Sequence, residues 1–208
     1  MDLLFLLAFV AAIAAQWRKA QEHRQRVHFL AGYLRSYQIE KLMETLSTGY
    51  LRALGEKDPE RAQSVWNTLA FSEGQLDEQF KRFANELNGA DEVSSRVSRL
   101  AMDLPFVRQW FPSTTFDLRR LMRIHAQGIS STLGNARQLS QRDRAYQLCA
   151  EMFLMQHSCH WFCNARMVAS ARLLARHQTR YDQVLAGVGE GTRAAYTALV
   201  AGWTPTQG

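Results

Sequence analysis

The chain has three cysteines in 208 residues, and its lysines number only four: Lys19, Lys41, Lys57 and Lys81. The cysteines, Cys149, Cys159 and Cys163, are odd in number and crowded into one segment. That pattern excludes the disulfide framework of a small secreted protein and fits a reducing compartment. No C-x-x-C pair, C-x-x-C-H haem-attachment order, G-x-S-x-G elbow or H-E-x-x-H zinc motif occurs. Gly187-Val188-Gly189-Glu190-Gly191 lacks both the strand that precedes a dinucleotide fingerprint and the lysine of a P-loop, so it reads as a flexible helix connector. Carboxylates are plentiful in the middle of the chain, yet no pair is marked as an acid/base dyad. With the familiar enzyme signatures missing, location and architecture are more legible in this chain than chemistry.

Charge is nearly missing from the first fifteen residues, where Asp2 stands alone, and every residue from Leu3 to Ala15 is apolar. In lipid a helix satisfies the backbone of such a segment. Residues 16–26 then carry Arg18, Lys19, Arg24 and Arg26 against Glu22. Cations after an apolar helix are retained on the cytoplasmic side, which orients the N-terminus outward and the remaining chain inward. The sequence thus predicts a transmembrane signal-anchor over residues 1–17 in the inner membrane of a bacterium-like cell. Trp17, Arg18, Lys19, Arg24 and Arg26 would lie at the lipid interface. Thirteen to fifteen residues reach only about 20–22 Å of a roughly 30 Å hydrocarbon core, so local thinning is implied. The competing readings are a signal cleaved near Ala14 or Ala15, leaving a periplasmic helical binding protein, and a buried core helix.

Beyond the anchor the chain runs basic, acidic, basic. The net charge is +6 overall, and the carboxy-terminal excess is wholly arginine. Arginine suits bidentate pairing with carboxylates or phosphates. The first basic block has lipid headgroups as its simplest partner, whereas no nucleic-acid motif supports the second as a nucleic-acid surface.

Helical spacing recurs throughout and no alternating strand pattern stands out, so the fold class is all-α. A basic juxtamembrane region, 18–54, ends at Gly55. A helical domain, 55–208, comes next, opening with Asp58 as N-cap and Pro59 at the first helical position. Ser72 with Gln75 resembles a capping box for a helix bearing Leu76, Phe80, Phe83 and Leu87, which Asn88-Gly89 ends. Val93, Val97, Leu100 and Leu104 continue the helical spacing up to Pro105. A connector containing Trp110 and Phe111 succeeds it and is expected to pack inward. Ser113 to Thr115 can cap the next helix, and a cap at Ser140 and Asp143 begins a long C-terminal helix, about forty residues, running to near Tyr181.

Two groups of residues are candidate sites. Arg119, Arg120 and Arg123 lie opposite Leu118, Leu121, Met122 and His125, a cationic stripe for protein partners. Cys159, His160 and Cys163 share one helix face and make a half-site for zinc or a redox sensor, with core packing as the simpler reading, because Cys149, Met152, Phe153 and Met167 continue an apolar stripe. His125 reads as a satisfied core residue. The function expected is that of a membrane-anchored accessory or adaptor subunit holding other subunits of a complex on the cytoplasmic side.

Overall fold

The computed structural model describes residues 2–102 and 107–202. The described chain is mostly helical, in the order α1 (Asp2–Leu34), α2 (Ile39–Gly55), α3 (Pro59–Asn88), β1 (Arg96–Ser98), α4 (Val107–Trp110), β2 (Thr115–Asp117), α5 (Leu118–Gly134), α6 (Gln141–Cys163), α7 (Arg166–His177), α8 (Tyr181–Gly187) and α9 (Glu190–Ala201). The all-α expectation holds for this region, with one addition. Val93 and Val97 do not belong to a helix: Arg96–Ser98 pairs antiparallel with Thr115–Asp117, Val97 opposite Phe116. Leu104 lies outside the described residues.

The local signals that survive are caps. Asp58 accepts the Glu60 N–H and Pro59 opens α3, Ser140 accepts the Asp143 N–H at the start of α6, and Gly55, Gly89 and Asn135 close α2, α3 and α5. Ser72 and Gln75, by contrast, lie inside an unbroken thirty-residue α3. Next to Ser72, Glu73 needs that continuity, because it accepts from Tyr50 Oη at 2.6 Å and pairs with Arg144 at 3.0 Å, joining α2, α3 and α6. The cap of α5 is Asp117, two residues after the Ser113–Thr115 stretch, since Thr115 is taken by the strand.

α2 and α3 form a hairpin whose facing residues, Leu46, Tyr50, Leu76 and Phe80, are fully buried. α5 and α9 close the other side, and α6 runs through the middle. α6 is buried on several sides, with Leu148, Met152, Leu154, Trp161 and Phe162 all buried, the pattern of a central helix rather than a surface one.

The expected forty-residue helix is not continuous. It stops at Cys163, and the chain turns through Asn164 and Ala165 into α7. The freed backbone groups find tertiary partners: His23 Nδ1 lies 2.7 Å from the Cys163 carbonyl, and the Met167 N–H donates to the Ala101 carbonyl at 3.2 Å. Those two bonds remove the usual cost of breaking a helix in the interior. Gly187 and Gly189 flank the α8–α9 joint as expected, while Gly191 lies within α9.

Among the described residues no helix is long and apolar enough to cross a membrane. The transmembrane signal-anchor expected over residues 1–17 is therefore not supported, the apolar run that ends at Ala15 reaching only about 20 Å of a roughly 30 Å hydrocarbon core.

Candidate functional site

Two features of α1 define the site: a free end and a cleft at its root. Every described side chain from Leu3 to Gln21 is exposed. Phe5 at 71% and Phe9 at 64% represent a run of large apolar groups that face solvent on all sides of the helix. Partly buried side chains begin at Glu22. Of the residues predicted at the lipid interface, Trp17, Arg18, Lys19 and Arg24 are exposed, whereas Arg26 is buried and pairs with Glu22 at 3.0 Å. From His23 onward, α1 packs on α6, with Phe29 tilted against Phe162 at 5.6 Å between ring centroids.

The cleft lies where α1, α2, α6 and α7 meet, with a volume of about 690 Å³. Leu30, Ile39, Met43 and Met155 form its buried floor, and Cys159, His160 and Cys163 line one wall. The cysteine–histidine group identified in the sequence is therefore gathered at a cleft. Among the described residues no three His, Cys, Asp or Glu side chains converge as ligands. His160 Nδ1 faces Arg172 Nη1 at 3.2 Å, and the Cys159 thiol points at Met155 Sδ at 3.9 Å. Burial pushes the Cys159 thiol up to about 12 and Cys163 up to about 11, so both stay protonated at neutral pH. A protonated thiol is a slow nucleophile, so burial disfavours fast thiolate chemistry at both cysteines in the folded protein.

The arginine stripe divides. Arg119 folds back on its own cap, donating to both Asp117 carboxylate oxygens at 3.0–3.1 Å and to the Ala90 carbonyl at 3.0 Å. Arg120 and Arg123 are exposed. Trp110 at 69% and Phe111 at 55% stand in solvent, contrary to the inward packing expected, because the short α4 offers no face long enough to bury them.

One acidic group carries no mark in the sequence. Glu151 is fully buried beside a cavity of about 370 Å³ between α5, α6 and α9. Its Oε1 accepts the Gly189 N–H at 2.9 Å, and Gly189 caps α9. Gly128 makes room for the carboxyl: a Cβ there would stand 2.5 Å from Glu151 Oε2 and overlap Thr192 Oγ1. Desolvation raises the carboxyl to about 7, against the hydrogen bonds that lower it. The only signal in the sequence is an acid set within the apolar run Leu148 to Met155. Nearby, His125 is fully buried, its Nε2 2.9 Å from Ser158 Oγ, which itself donates to the Leu154 carbonyl. Burial lowers His125 to about 3 and keeps the ring neutral, and its buried Nδ1 has no hydrogen-bond partner among the described residues, so the satisfied core histidine expected is only half satisfied.

Comparison with protein-family models, with curated proteins and with solved structures returned no match.

Proposed function

We propose that the protein is a lipid-attached helical scaffold: the apolar end of α1 inserts in a membrane, and the helical body holds protein partners on the cytoplasmic face. The observation that carries this reading is the exposure of α1. Monomeric proteins rarely present a contiguous apolar surface of such size to water, and here it wraps a whole helix rather than one stripe. Lipid covers a helix from all sides at once, whereas a groove on a partner covers one face. The run to Ala15 would sit in a thinned bilayer with Trp17 at the interface, and the cations beyond it favour an outward N-terminus. Arg120 and Arg123 would supply the salt-sensitive part of a partner contact.

The test is membrane partition and orientation. Wild type should resist carbonate extraction and a C-terminal reporter should register cytoplasmic, while a Leu6→Glu, Phe9→Glu, Ile13→Glu protein should fold and become extractable. Wild type released by carbonate, or a reporter registering outside, refutes the reading.

A further inference from the structure

The cleft at the root of α1 has the form of a binding site. Its volume, about 690 Å³, is within the roughly 300–1,000 Å³ of small-molecule sites. Its α1 wall extends from His23 to Leu34, about 17 Å at 1.5 Å per residue, close to the roughly 15 Å that one leaflet contributes to the hydrocarbon core and therefore to the reach of one acyl chain. The surface along that length is apolar and adaptable: Leu30, Met43 and Met155 lie beneath, and Val27 remains 40% exposed.

Charge on the rim is one-sided. Arg35, Arg172 and Arg176 are exposed there against a single carboxylate, Glu40, whose contact with Arg176 is 3.6 Å between two exposed side chains and so is easily exchanged. Arg172 and Arg176 are one turn apart on α7, placed to grip one small anion together.

We propose that this cleft binds a single long-chain fatty acid, its acyl chain along the α1 wall and its carboxylate between Arg172 and Arg176. A chain of this length with one terminal anion matches an apolar trough whose cations gather on the rim. Binding of this kind does not require insertion of α1 in a membrane.

The test uses full-length protein in phosphatidylcholine nanodiscs titrated with palmitate labelled with carbon-13 at the carboxyl, the signal from empty nanodiscs being subtracted. One saturable palmitate per chain is expected, with a shifted carboxyl resonance. Arg172→Gln with Arg176→Gln should weaken binding about tenfold. Val27→Trp, at a 40% exposed position in the cleft lining, should block it with the helical circular dichroism unchanged. Hexadecyltrimethylammonium, of like length and opposite charge, should not compete. The idea is overturned by no saturable binding above empty nanodiscs, by unchanged affinity in both variants, or by equal competition from the cationic amphiphile. A chain dimer that Val27→Trp dissociates, without palmitate binding, would assign the cleft to a second copy and also overturn it. Carbonate resistance of the arginine variant should equal wild type, so failure of the cleft and failure of the anchor read out separately.

Discussion

Replacing Glu151 by glutamine should make the protein more stable at pH 8 and leave it nearly unchanged below pH 4.5. The carboxyl is held in the interior, with Oε1 on the Gly189 N–H and Oε2 against Gly128 and Thr192. Burial raises it from its ordinary 4.5 to about 7 in the folded protein. Below pH 4.5 both folded and unfolded states carry the proton, so the group's favourable contribution is fully present. As pH rises toward 7 the unfolded state ionises first, and the contribution is lost; above 7 the loss is complete. From 4.5 to about 7, at about 1.4 kcal/mol per pH unit, the loss is about 3 kcal/mol. Glutamine keeps an oxygen for the Gly189 N–H and offers an amide donor to Thr192 Oγ1 without ionising. Urea unfolding of wild type and Glu151→Gln across pH 4.5 to 8 is the assay, and the difference between the two curves isolates this group. The lowered His157 and His125 lose stability as pH falls from 6.5 through about 4 and about 3 respectively, but they do so in both proteins and cancel. A difference that stays flat with pH, or a glutamine variant less stable at pH 8, would show that buried ionisation of Glu151 is not what limits stability there.

Gly128→Ala should destabilise by roughly 1–3 kcal/mol in thermal unfolding, because the new methyl overlaps Thr192 Oγ1 and the Glu151 carboxyl; a neutral result would mean that α5, α6 and α9 pack more loosely than these distances imply. Native protein should react slowly with a thiol-alkylating reagent at Cys159 and Cys163 at pH 7 and rapidly once unfolded, as their raised thiols require, and fast labelling of folded protein would count against that. Arg119→Ala should cost about 1 kcal/mol in urea unfolding through the lost contacts to Asp117 and Ala90. Arg120→Glu with Arg123→Glu should instead stay within about 0.5 kcal/mol and weaken co-purification of partners in a salt-sensitive way.

The helical class and several helix ends are legible in the residues alone, because Asp58-Pro59, Asn88-Gly89 and Ser140 act through backbone groups within a few residues of themselves. So are the uncharged segment from Leu3 to Ala15 and the gathering of Cys159, His160 and Cys163 on one face. Other features depend on contacts between distant parts of the chain. The stop at Cys163 rests on His23 and Ala101, which lie far away in sequence, so helical periodicity runs through it unnoticed. Ser72 and Gln75 form a cap signature that loses to Glu73, whose partners Tyr50 and Arg144 come from two other helices. The three arginines are equivalent in periodicity, yet only the fold ties Arg119 to Ala90 and leaves Arg120 and Arg123 outside. Glu151 is a single letter until Gly128, Gly189 and Thr192 enclose it, since desolvation and the change of ionisation it causes belong to the surroundings and not to the residue.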